Sequence, residues 1–108
     1  MIELPMKPLS VNQCWQGKRF KTPEYKAYEL EMILRLPSLK INTNGPLRID
    51  MTFRFSNSLC DVDNPVKPLL DILQKKYMIN DKNIVSLNLS KEIVKKGNEF
   101  IKINITEK

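Results

Sequence analysis

The spacing of hydrophobic residues changes period along the chain, and each change marks an element. From Leu47 to Phe55 the pattern alternates: Leu47, Ile49, Met51, Phe53 and Phe55 fall on one side, Arg48, Asp50, Thr52 and Arg54 on the other. A period of two predicts a half-buried strand. Ile101, Ile103 and Ile105 repeat it near the end, which predicts two closing strands over 84–95 and 99–106. Lys96-Gly97-Asn98 reads as the hairpin turn between them. Elsewhere the spacing is helical. Tyr25, Tyr28, Met32, Ile33 and Leu36 follow the start signal Thr22-Pro23-Glu24 and stop before Pro37. Val66, Leu69, Leu70, Ile72 and Leu73 predict a second helix to about Lys76, with Asn64 as cap and Pro65 in the first turn. Residues 1–5 suit a short first strand, residues 6–21 a loop, and Asn44-Gly45-Pro46 and Asn80-Asp81-Lys82-Asn83 two turns.

The order is therefore β-α-β-α-β-β. It predicts a small α/β (α+β) sandwich with a mixed sheet and two helices, one domain over residues 1–108. A tyrosine stripe can stack on bases, but at helical spacing it more commonly faces a core, and Tyr25 and Tyr28 are read as core.

Composition narrows the class. The chain has 108 residues and 42% hydrophobic content, enough for one core and too much for disorder. No apolar run of about 18 residues suggests a membrane span, and Met1-Ile2-Glu3-Leu4-Pro5 lacks the pattern of a signal peptide. A cytoplasmic protein without a membrane partner is the expectation. Cys14 and Cys60 are read as reduced and structural, because a small secreted scaffold carries more cysteines. The chain has no histidine, which excludes histidine acid–base catalysis and any nucleophile that depends on it. A formal charge of +6 and a pI near 9.4 point to a polyanionic partner, most simply nucleic acid. Lysine outnumbers arginine, which suits phosphate contacts better than base reading.

Against that positive balance, Cys60-Asp61-Val62-Asp63-Asn64-Pro65-Val66-Lys67 gathers acids, and Asp81 adds another after the second helix. A calcium loop starting at Asp61 would need a third acid at Pro65, a glycine at Val66 and a glutamate at Ile72, so that reading fails. Two readings remain open. In one, the acids cap the helix and Lys67 pairs with Asp63 or Asp71 one turn away. In the other, Asp61, Asp63 and Asp81 converge on a hard divalent cation, which relieves their mutual repulsion, and Lys67 stabilises charge developing on a phosphate. The second reading uses Asp61 and Asp81, which the first leaves unexplained.

At these residues the chain resembles the RusA-type Holliday-junction resolvases. The stretch from Cys60 through Asp61, Asp63, Asn64, Lys67 and Asp71 to Leu73 is similar to their D-x-D-N-x-x-K-x-x-x-D-x-L signature. Asn80-Asp81-Lys82-Asn83-Ile84-Val85 resembles the acidic turn that follows, and Pro8-Leu9-Ser10-Val11-Asn12 the entry motif. The resemblance implies a homodimeric endonuclease that uses Mg²⁺, with Mn²⁺ as an alternative, and no organic cofactor. It implies paired symmetric nicks in a four-way or otherwise branched DNA junction during recombination and repair. Carried over, Asp61, Asp63 and Asp81 match the metal-binding acids and Lys67 the essential lysine. Asn64 and Asp71 match the motif and suit helix capping and local support. Two departures stand out: Ser56-Asn57-Ser58-Leu59-Cys60 lacks the arginine run of some members, and Asn80 replaces the first acid of the turn. Lys18, Arg19, Lys21, Lys75, Lys76 and Lys82 are the candidates to supply DNA contacts instead. The alternatives are a metal nuclease on flap or branched DNA without junction preference, and a junction-binding protein that does not cut.

Overall fold

The computed structural model describes residues 2–9, 15–16, 20–56 and 65–108. In chain order the elements are β1 (Ile2–Leu4), β2 (Trp15–Gln16), β3 (Phe20–Lys21), α1 (Pro23–Arg35), β4 (Leu47–Phe55), α2 (Val66–Tyr77), a 3₁₀ turn (Asp81–Asn83), β5 (Ile84–Ile93) and β6 (Phe100–Glu107). The expected β-α-β-α-β-β order holds. The stretch expected to be loop contains in addition a two-residue ladder, in which β2 pairs antiparallel with β3.

Local chemistry explains both helices. Thr22 is extended and its Oγ1 accepts from the Tyr25 N–H at 3.1 Å, with Pro23 next and Glu24 in the first turn. In α2 the proline sits one position earlier than expected. Pro65 occupies the cap position with helical dihedrals and no side-chain cap bond, and its carbonyl accepts from Leu69 N–H at 3.4 Å. Asn64, the expected cap, lies outside the described residues.

The sheet order is β1-β6-β4-β5. β4 is central: it pairs parallel with β5 and antiparallel with β6. This corrects the expected hairpin. β5 and β6 follow one another in sequence but lie on opposite sides of β4, so the turn around Gly97 carries the chain past the end of β4. Two strand spacings, roughly 10 Å, must be bridged there. Gly97 has φ of 98°, the left-handed region that glycine enters freely, and Asn98 N–H bonds to Lys95 O at 3.0 Å. The cause is the crossover: with α2 between them, β4 and β5 run parallel and side by side, which leaves the other edge of β4 for β6.

One face of the sheet is dry. Leu47, Ile49, Met51, Phe53 and Phe55 of β4 and Ile101, Ile103 and Ile105 of β6 are buried together with Tyr25, Tyr28 and Met32 of α1 and Leu69, Ile72 and Leu73 of α2. The tyrosine stripe is thus core. Each such side chain contributes about 1.5–3 kcal/mol of burial free energy before entropy is counted. The opposite face carries Arg48, Asp50, Thr52 and Arg54, with Arg54 bonded to Glu92 at 2.8 Å. Among the described residues no helix is long and apolar enough to cross a membrane.

Candidate active site

α2 and the turn that follows it position the two candidate residues that lie in described segments. Lys67 stands in the first turn of α2, exposed, between the buried Val66 and Pro68. No ion pair joins it to Asp71 among the described residues, so the local pairing expected of a plain capped helix is not made there. Asp81 stands at the other end, exposed in the 3₁₀ turn. Twelve helical residues separate these ends by roughly 18 Å. Within one chain, therefore, Lys67 and Asp81 are not brought together. Asp61 and Asp63 lie outside the described residues. Their segment joins Ser56, past the end of β4, to Pro65 at the start of α2. Among the described residues no group of three or more metal-ligating side chains forms.

The Asp81 turn is tightly built. α2 ends at Met78, which is left-handed at φ 56° and ψ 39°, and both Met78 and Ile79 N–H groups bond back to Gln74 O. Ile79 buries itself in the core and stops the chain from unwinding. Asn80 Oδ1 then accepts from the Lys82 N–H at 3.2 Å, and Asn83 N–H closes on Asn80 O at 2.9 Å. The departure at Asn80 is thereby explained: asparagine caps the turn that presents Asp81, a task for which a short polar side chain suffices. Asn83 Nδ2 reaches Thr43 O and Asn44 O at 3.4 and 3.3 Å, fixing the turn to the loop before β4. Nothing in the sequence pattern marked Asn83 for this.

Two clefts meet beside this turn. One, of about 400 Å³, is lined by Gln74, Met78, Ile79, Asn80 and Asp81. The other, of about 510 Å³, is lined by Lys21, Tyr25, Asp71, Gln74, Lys75 and Ile79. They share Gln74 and Ile79, so Asp71 of the motif and Asp81 line adjoining hollows.

Of the candidate DNA-contacting residues, the structure brings Lys21 and Lys75 together. Both donate to Glu29 of α1, at 3.0 Å each. Glu29 thereby joins the β2–β3 ladder, α1 and α2. Burial raises the Glu29 pKa, but the hydrogen bonds and charges of Lys75 and Lys21 outweigh it and hold the carboxyl below its ordinary value. Sequence reasoning missed Glu29, because its partner Lys75 is 46 residues away. Lys76 is half-buried on a third cleft with Tyr77, whose hydroxyl donates to Pro37 O at 2.6 Å. Lys82 is exposed beside Asp81. Lys18 and Arg19 lie outside the described residues.

The family model described as endodeoxyribonuclease RusA matches residues 5–106, a span that contains Asp61, Asp63, Lys67 and Asp81. A search of curated proteins gives no significant match.

Proposed function

The chain belongs to the RusA endodeoxyribonuclease family, and from that premise we propose that it is a Mg²⁺-dependent homodimer that resolves four-way DNA junctions by paired symmetric nicks. The observation that carries the reading is the family match over nearly the whole chain, with the acids and the lysine of the signature all in place.

Asp61 and Asp63 of one protomer, with Asp81 of its partner in the proposed homodimer, would hold the ion. Three carboxylates without histidine or thiolate are the hard oxygen set that Mg²⁺ prefers to softer donors. When bound, such an ion supplies charge neutralisation at the scissile phosphate and an acidified water. Lys67 is exposed on the first turn of α2, a compact cation free of any ion pair with Asp71, suited to the charge that builds on a phosphate oxygen during cleavage. Lys21, Lys75, Lys76 and Lys82, with Lys18 and Arg19, would contact DNA phosphates, and the net charge of +6 supports attraction to a polyanion.

The test uses labelled four-way junction, flap and linear duplex, each with Mg²⁺, with Mn²⁺ and with EDTA. Symmetric paired nicks on the junction alone, abolished by EDTA, are expected. Cutting of all three substrates would reduce the function to a less selective branched-DNA nuclease. Binding without cutting under every metal condition would sink the enzyme reading.

A further inference from the structure

Three charged side chains from three elements meet close to the Asp81 turn. Glu29 leaves the middle of α1 and is largely shielded from water. Lys21, at the end of the β2–β3 ladder, donates to both of its oxygens, at 3.3 Å to Oε1 and 3.0 Å to Oε2. Lys75, in the last turn of α2, donates to Oε1 at 3.0 Å. The Lys21 ammonium also lies 5.2 Å from the centre of the Tyr25 ring. Both lysines line the cleft of about 510 Å³ that adjoins the Asp81 hollow, and Asp71 lines it with them. Two cations and two anions thus sum to zero there, on a chain whose total is +6.

A carboxylate spreads one negative charge over two equivalent oxygens, and so does a phosphodiester. Ammonium groups gathered around the first are placed to gather around the second. We propose that Glu29 is a built-in competitor for DNA phosphate: it holds Lys21 and Lys75 until a backbone phosphate entering the cleft takes them over, and so sets how strongly the chain holds DNA. The inference rests on the nucleic-acid reading given above and adds the residue that tunes its affinity.

Exposure distinguishes this role from that of a buried structural pair. Lys75 is 51% exposed and Lys21 27%, so both stay within reach of a ligand in the cleft. An ammonium carries three donors, and Lys75 uses one of them on Glu29, so an arriving phosphate can be met before the first contact breaks. Pairs this open to water are weak and exchange readily. Glu31, two residues further along α1, makes the comparison. It is exposed, pairs with Arg35 and lines a different cleft, with Pro5 and Tyr28. It carries the same charge on the same helix without touching either lysine.

The experiment measures affinity for a labelled linear duplex in EDTA, by fluorescence anisotropy between about 50 and 200 mM salt. Circular dichroism checks that each protein is folded. Glu29→Gln keeps the shape and removes the charge; it should tighten binding and steepen the plot of log affinity against log salt by about 0.9, one full charge. Glu31→Gln, an equal change of net charge at another cleft, should do neither, and an equal effect there would overturn the proposal. The cycle with Lys75→Met is decisive. Because Glu29 competes for Lys75, that substitution should cost at least about threefold less affinity in the wild-type chain than in Glu29→Gln. Equal costs would make the two residues independent, and a larger cost in the wild-type chain would make Glu29 a scaffold for the lysine; either result overturns the proposal. The wild-type chain supplies a check that needs no variant to fold. The ammonium ¹⁵N resonances of Lys21 and Lys75 should shift on saturation with duplex, and resonances that stay in place would overturn the proposal as well. A wild-type chain that nicks junctions with Mg²⁺ while the cycle shows no coupling removes this role and leaves the nuclease reading standing. Coupling in a chain that binds duplex but cuts no DNA does the reverse.

Discussion

Glu29→Gln tests the ion-pair clasp that holds three elements together. The substitution keeps shape and one acceptor but removes the charge. Glu29 accepts from Lys21 and from Lys75 at 3.0 Å each, and its side chain is 17% exposed. A hydrogen bond to a charged group contributes about 1.5–3 kcal/mol when shielded, while an exposed ion pair contributes about 0–1 kcal/mol. Lys75 is half-exposed and Lys21 about a quarter exposed, so the two pairs lie nearer the lower figure. The expected loss is about 1–2 kcal/mol at pH 7, or roughly 5–10 °C in Tm for a domain of this size. The sign with pH follows from the lowered carboxyl pKa. The folded state binds that proton more weakly than the unfolded state, so the contribution is present above the ordinary value of 4.5 and disappears as pH falls through the folded-state value. Glutamine cannot titrate. Urea unfolding of both proteins at pH 7 and near pH 3 should therefore show a gap that closes in acid, and about 1 M salt should narrow it at pH 7. No gap at pH 7, or an equal gap at both pH values, would overturn the ion-pair account of Glu29.

The remaining expectations concern the site and its scaffold. Asp61→Asn, Asp63→Asn and Asp81→Asn should each lower cleavage by more than about 100-fold while junction binding by gel shift largely survives; full activity in any of them would remove that residue from the metal set. Lys67→Ala should slow single-turnover cleavage by about 10²–10³ and weaken binding much less, and equal losses would make it a phosphate anchor. Met78→Gly should stabilise the fold by about 1 kcal/mol, because Met78 is left-handed and 81% exposed, so little packing is lost; thermal melting reads this, and a destabilised variant would contradict it. Junction affinity should fall by about 10³ between 50 and 200 mM salt if some six phosphates are contacted, and a flat salt dependence would argue against phosphate-dominated binding.

Local signals carried much of the fold. The Thr22 cap and the stripe from Tyr25 to Leu36 marked the first helix, the alternation from Leu47 marked the central strand, and both are as expected because each depends on neighbours within a turn or two residues. The family was legible in the same way, since the stretch from Asp61 to Asp71 is contiguous and the family match covers it. The hairpin at Gly97 misled because a turn residue reports a reversal of direction and not which strand lies next door. β4 occupies that place, and the residues that put it there belong to the crossover through α2, well before the turn in the sequence.

The amino-acid order alone specifies both helices, the long strands, the apolar side of each, the positive balance and the candidate acids with their lysine. Those follow from side-chain chemistry and from periods of two and 3.6 residues. The separation of β5 from β6 by β4, and the gathering of Lys21 and Lys75 by Glu29, belong to the tertiary structure. It alone set Lys67 and Asp81 at opposite ends of α2. These are matters of long-range pairing and of the rigid length of a helix. A run of letters can supply the residues for a site, but the rise of about 1.5 Å per helical residue fixes how far apart one chain holds them.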